Sequence, residues 1–273
     1  MRLSRHSSRP EDVRRAVDGR LVVITGASRG IGLELARRLA AVGAEVVGIA
    51  RTADDLDRIA AKINSGSGVF HALPGDLRDT DWAEKAGRQI LREYGTPALL
   101  VCNAGHSIRR SLADYTDRFH DVARTAGVNY LGAVALALPL LESMMQQRAG
   151  HLVSVSTTSV DLPMPNWSAY TASKAAFEMW LTTVAPELRA SGVAVTSVHM
   201  ERVATAMSAP TAGVYNVPEL DIGQAADLLC RAIVTRERLI APWWARLGAL
   251  VSAATPEGVQ WAWLAAWRAG LRP

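Results

Sequence analysis

Short apolar runs rich in β-branched residues alternate with amphipathic helical patterns along almost the whole chain, and this alternation decides the fold class. Leu21–Thr25, Glu45–Ala50, 69–73, Leu99–Cys102, 152–155, 193–198 and 238–241 read as strands. The first helical pattern runs through Ile31, Leu35, Leu39 and Val42 and ends at Gly43. A second, behind a capping Thr52, runs through Leu56, Ile59 and Ile63. Further helices are expected over 79–94, from the fourth strand to about Gln147, from about Tyr170 to Ala190, and over 221–235. Strands written as continuous apolar runs must be covered on both faces, and a helix after each makes the sheet parallel. Right-handed crossovers then leave a doubly wound α/β sheet of about seven strands. A chain of 273 residues can form one such domain with a substantial core, and no internal repeat or linker divides it.

Charge excludes some functions. The formal net charge of +4 is too small to argue for nucleic acid, and much of it lies in the first twenty residues. There Arg2, Arg5, Arg9, Arg14, Arg15 and Arg20 face Glu11, Asp12 and Asp18, so residues 1–18 read as a basic, solvated tail. With no apolar stretch, that tail is not a secretory signal. Cys102 and Cys230 lie in different apolar segments without metal-ligand spacing. They read as reduced core thiols of an intracellular, cytoplasmic protein with no metal site. No uninterrupted apolar run of some 18 residues is present to span a membrane.

Two local patterns carry chemistry. Gly26-Ala27-Ser28-Arg29-Gly30-Ile31-Gly32 joins the first strand to the first helix. Glycines there let a pyrophosphate approach the helix N-terminus, where free N–H groups and the dipole favour an anion. Downstream, Tyr170 and Lys174 stand four residues apart at a helix start, on one helical face. A nearby ammonium favours the phenolate and brings the tyrosine into range as a general acid/base.

With Asn103-Ala104-Gly105 after the fourth strand, these motifs in this order resemble the short-chain dehydrogenase/reductase family over residues 19–241. The resemblance implies a Rossmann-type domain that binds a nicotinamide cofactor through Gly26, Ser28, Arg29, Gly30, Ile31 and Gly32. Asp76 and Leu77 would contact the adenine, and Asn103, Ala104 and Gly105 would wall the cofactor pocket. Where members that prefer NAD(H) place an acid at the end of the second strand, this chain has Arg51, with Arg29 in the Gly loop. Two guanidiniums suit a 2′-phosphate, so NADP(H) is the expected cofactor. By the same resemblance Tyr170 transfers a proton to or from the substrate oxygen. Lys174 lowers the tyrosine pKa and holds the nicotinamide ribose, and Asn129 binds a water of the proton relay. The family's serine position is held by Thr157, with Ser156 and Ser159 close enough to substitute for it. After the sixth strand the usual Pro-Gly is replaced by Glu201-Arg202, which puts the loop geometry in doubt. Val203 would still offer its backbone to the carboxamide and Thr205 its hydroxyl to the phosphates.

The substrate cleft should be lined by loops 161–167 and 204–218, apolar through Met164, Trp167, Met207, Val214, Tyr215 and Val217. No cluster of Arg or Lys is evident there to meet a carboxylate or sugar phosphate. A hydrophobic ketone, aldehyde or alcohol, lipid-derived, fits best, and 200–211 also resembles short-chain reductases of fatty-acyl substrates. Residues 242–273 read as a helical extension holding five of the eight tryptophans. Trp243, Trp244, Leu247, Leu250, Val251 and Ala254 share one helical face, and Trp261, Trp263, Leu264 and Trp267 follow. Such a patch calls for a cover: the domain itself, a partner subunit in a homodimer or homotetramer, or a membrane surface met also by Arg246 and Arg268. The rival to an oxidoreductase is a catalytically silent dinucleotide-binding scaffold or redox sensor.

Overall fold

The computed structural model describes residues 8–211 and 219–269. Its centre is a parallel sheet of seven strands: β1 (Leu21–Thr25), β2 (Glu45–Ala50), β3 (Val69–Pro74), β4 (Leu99–Cys102), β5 (Gly150–Thr157), β6 (Val193–Met200) and β7 (Leu239–Ile240). Their order is β3-β2-β1-β4-β5-β6-β7, so the chain reverses direction across the sheet between β1 and β4. Outside such a switch point the carboxyl ends of the strands leave a crevice for a ligand.

Alternating strand residues feed two cores. Val22 and Ile24 pack with α1 (Pro10–Val17), α2 (Gly30–Ala41), α3 (Ala53–Asn64) and α8 (Ile222–Thr235). Leu21 and Val23 pack with α4 (Thr80–Glu93), α6 (Gly132–Gln146) and α7 (Ser168–Ala190). Every residue of β1 is buried, as an interior strand covered on both faces requires. The helices from the sequence pattern appear where expected, with Asp79 capping α4 and Asp221 closing a capping box on α8.

Two segments depart from the sequence reading. The first is the basic tail: residues 10–17 form α1, which buries Val13 and Val17 against α2 and α8. Its arginines hide the pattern because they occupy the outer face. The second is the long helix after β4, which is interrupted. It consists of α5 (Phe119–Ala126), a π-helical turn at Gly127–Leu131, and α6. The C-terminal extension is helical, as expected, and folds as α9 (Trp243–Ala254) and α10 (Pro256–Arg268). Its packing residues are Ala245, fully buried, and Gly248, which faces Leu162. The face for which a cover was expected, with Trp243, Leu247 and Leu250, is exposed in the single chain. Val214, Tyr215 and Val217 lie outside the described residues.

Candidate active site

The turn from β1 into α2 is a cradle for an anion. Gly30 has φ +57°, a left-handed conformation that favours glycine. A Cβ on Gly32 would stand 2.3 Å from the Gly26 carbonyl oxygen. No side chain caps α2 at Arg29, and its first turn carries no acid. The first N–H groups of α2 are therefore open to an anion, which is the chemistry a dinucleotide pyrophosphate needs. Thr205 leans over this turn, its methyl 3.6 Å from where a Gly30 Cβ would be.

Asn103 has a structural part beside the one expected of it. Its Nδ2 donates to the carbonyls of Thr25, at 2.9 Å, and Gly26, at 3.4 Å, so the side chain braces the Gly turn from below. Thr25, which the sequence reading passed over, completes the brace. Its hydroxyl accepts from the N–H groups of Asn103 and Ala104 and donates to the Val101 carbonyl. Gly105 faces inward: a Cβ there would lie 3.3 Å from Asn129 Oδ1 and 3.6 Å from Lys174 Nζ.

At the adenosine side Arg51 is exposed at the end of β2. The Asp76 carboxylate accepts from the N–H of Arg78 at 2.9 Å and from its Nε at 2.8 Å. That pairing holds the Asp76 carboxyl below the usual range, with a smaller contribution from Arg51. Arg78 is thus a second guanidinium near Asp76, besides the Arg51 read from the sequence. Leu77 is buried beside them.

The strand β5 and the helix α7 bring the proposed reacting groups together. Thr157 ends β5, and its hydroxyl is the hydrogen-bonding neighbour of the Tyr170 phenol. It also accepts from the N–H of Ser159 at 3.2 Å. Ser156 points to the other face of the strand, in register with His199, so Thr157 is the hydroxyl that meets Tyr170. Trp167 sits edge-on to the Tyr170 ring at 6.0 Å. Lys174 is 6% exposed and its Nζ donates to the Val155 carbonyl at 2.8 Å. Burial brings the ammonium down to about 8, against the pull of Glu178, and also pushes the neighbouring Cys102 thiol up to about 12, so that it is neutral there. Burial also raises the Tyr170 phenol, partly offset by the Thr157 bond.

Asn129 lies in the π turn, where an extra residue per turn re-aims a side chain. Its Oδ1 accepts from the His106 N–H at 2.8 Å. Its Nδ2 donates to the His106 carbonyl and to Ser173 Oγ, both at 2.9 Å. Ser173 in turn donates to the Tyr170 carbonyl at 2.8 Å. One amide thus ties the loop after β4 to the first turns of α7.

Behind Lys174 lies a buried polar network absent from the sequence reading. Glu178 accepts from Ser154 and Ser197, at 3.0 and 2.6 Å. His199 bridges Asp161, 2.7 Å from Nδ1, and Glu178, 3.3 Å from Nε2. The two carboxylates raise His199 to about 9 against the cost of its burial. The available signal was polar residues alternating along two interior strands.

The Glu201-Arg202 departure proves to be a fastening. Arg202 pairs with Glu219 at 3.2 Å and donates to the carbonyls of Ser208 and Thr211, holding the turn that carries Val203 and Thr205. Glu201 accepts from the Trp244 indole at 3.0 Å, which docks α9 beside the loop.

A family model described as short chain dehydrogenase matches residues 20–213. A fatty acyl-CoA reductase of Acinetobacter baylyi is 39% identical over 244 residues, covering 89% of this chain and 83% of that protein. A fatty acyl-CoA reductase of Mycobacterium tuberculosis is 34% identical over 260 residues, covering 95% of this chain and 86% of that protein. A solved metagenomic short-chain oxidoreductase in complex with NADP matches with a TM-score of 0.72 at 25% identity, covering 83% of this chain and 98% of that one. With the Gly cradle, the switch-point crevice and the Tyr170–Lys174 helix in place, the chain belongs to the short-chain dehydrogenase/reductase family and is an NAD(P)-dependent oxidoreductase.

Proposed function

We propose that the protein uses NADPH to reduce the carbonyl of a fatty acyl thioester, or of the aldehyde it yields, with Tyr170 as the proton donor. The observation that carries the reading is the placement of the Tyr170 phenol beside the Thr157 hydroxyl, one helical turn from a buried Lys174. The cofactor supplies the hydride. Thr157 orients the carbonyl through one hydrogen bond, and Tyr170 gives its proton to the oxygen as negative charge develops there. With a thioester, the hemithioacetal so formed then collapses, the C–S bond breaking and the hydroxyl proton passing to the departing thiol, which leaves the aldehyde. Lys174, charged at neutral pH, stabilises the phenolate left behind. Arg51 acts on the same Asp76 carboxylate that Arg78 holds, and Arg29 is exposed in the Gly turn; these cations suit a 2′-phosphate and support NADPH over NADH. Trp167 gives the cleft an apolar wall beside Tyr170, and the two relatives named fatty acyl-CoA reductases support an acyl substrate.

The test is NADPH oxidation with long-chain acyl-CoA, fatty aldehydes and a ketone panel, comparing wild type with Tyr170→Phe. Removing a general acid should cost roughly 10²–10⁴ in kcat. Tight NADPH binding without Tyr170-dependent turnover on any substrate would establish the silent scaffold instead.

A further inference from the structure

The segment between β4 and α6 carries a charge cluster that proton transfer and cofactor binding leave unused. Asp121 on α5 is only 2% exposed, yet three guanidiniums reach it: Arg110 at 3.2 Å, Arg118 at 3.0 Å and Arg124 at 2.8 Å. His120 adds a contact at 3.4 Å. A carboxylate offers about four acceptor sites, whereas each guanidinium brings about five donors in a rigid fork. One arginine would neutralise Asp121, so three leave donors and two positive charges over. Of the neighbouring acids, Asp114 accepts from Ser111, and no ion pair among the described residues links Asp117 to the ring.

The surplus faces outward. The Arg118 and Arg124 side chains are 38% and 40% exposed above the buried carboxylate. Arg110 lies over the Tyr115 ring and has a buried Nε without a partner. The ring also borders the reacting groups. The Arg110 N–H donates to the Asn166 carbonyl at 2.8 Å, and Asn166 precedes the Trp167 that packs on Tyr170. Beside the arginines stand Leu112 and Phe119, at 81% and 77% the most exposed large apolar side chains among the described residues. Surplus phosphate-matched donors next to an apolar lip fit an amphiphile with an anionic end.

We infer that Arg110, Arg118 and Arg124, preorganised on Asp121, bind the phosphates of the carrier to which the acyl chain is thioester-linked. That carrier is coenzyme A or a phosphopantetheine-bearing protein. The inference rests on the acyl-thioester reading above and adds the subsite that would distinguish a carrier-bound acyl group from a free aldehyde. Arginine suits it because the planar fork binds phosphate bidentately, and Asp121 fixes the forks before the ligand arrives.

The experiment titrates coenzyme A, 3′-dephospho-coenzyme A, pantetheine and acyl carrier protein into the full chain saturated with NADPH, so that the dinucleotide site is already filled. Wild type is compared with Arg118→Gln, Arg124→Gln and the corresponding Lys variants, and thermal melts check folding. Each Gln variant should weaken binding of the phosphorylated carrier by about tenfold or more. It should lower kcat/KM for acyl-CoA relative to fatty aldehyde by a similar factor, mostly through KM. The Lys variants should recover part of the loss. Coenzyme A binding without carrier-protein binding assigns the first source, and the reverse assigns the second. Carrier binding that the Gln variants leave unchanged overturns the subsite. So do equal losses for aldehyde and thioester, which would mark a purely structural ring, and binding only to anionic lipid vesicles. If carriers bind through the ring but no thioester is reduced in a Tyr170-dependent way, the proposed reaction fails and the subsite stands.

Discussion

Lys174 is held where its charge is costly. Lowering its ammonium from 10.5 to about 8 corresponds to roughly 3 kcal/mol against the charged form. The Val155 carbonyl and the Glu178 charge keep it protonated at neutral pH. As pH rises through about 8 the proton is lost, and with it the cation that stabilises a Tyr170 phenolate. Reductive kcat/KM should therefore fall on the alkaline side from about that pH. Glu178→Gln removes the largest influence raising Lys174 and should move the alkaline limb to lower pH. An unmoved limb in the pH–rate profile would disconnect Glu178 from Lys174. At the adenosine side, Arg51→Asp places an acid where a 2′-phosphate is expected. It should weaken NADPH by tenfold or more while leaving NADH little changed. Equal effects on the two cofactors would refute the contact.

At the scale of elements, His199 pins three pieces together: β6, the Asp161 end of the segment after β5, and α7 through Glu178. Its folded pKa of about 9 lies above the ordinary value of 6.5, so its stabilisation is fully present below about pH 6.5 and lost as pH rises through about 9. Glu178 is lowered, so its share is present above its ordinary value of 4.5 and lost in acid. Lys174 runs the other way in alkali, so comparing wild type with a variant isolates the histidine. His199→Gln should cost several degrees of Tm at pH 6 and much less at pH 9.5. A loss independent of pH would mean that packing, not charge, is what His199 supplies. The polar residues alternating along β5 and β6 signalled buried polarity, but the network itself was not legible, because its members come from four separate segments that only the fold juxtaposes. The strands were legible to within a few residues, since a run buried on both faces has little freedom of composition. The Tyr170–Lys174 spacing was legible because helix geometry is local. The π turn at Asn129 was not, because it has no composition signature, and neither was the packing face of α9. That face is built from Ala245 and Gly248, whose small side chains leave no hydrophobic period to find. Arg110, Arg118 and Arg124 were visible as residues, but their convergence on Asp121 depends on how the segment after β4 folds back.

For the whole molecule, two apolar surfaces compete to be the interface with a second copy. The outer faces of α6 and α7 form a groove lined by Leu138, Met145, Trp180 and Val184, with Glu84, Arg88 and Glu187 at its edges. Leu138 and Met179 are 54% and 67% exposed, while the ring of Trp180 is stacked on Phe177 and so is fixed in place. A rigid apolar groove framed by both signs of charge is suited to self-complementary packing about a two-fold axis. The surface of α9 and α10 is larger, with Trp243, Leu250 and Trp261 at 60% or more, but α10 buries none of its residues in the domain. A hairpin so lightly anchored is a poor foundation for a dimer and a better mobile cover for the loop at Leu162. The expectation is that the protein is an oligomer by light scattering and that Leu138→Glu with Met179→Glu yields a folded monomer. Trp261→Ser with Leu250→Ser should leave the oligomer intact. The opposite pattern would move the interface to the tryptophan-rich hairpin, and a monomeric wild type would remove it from both.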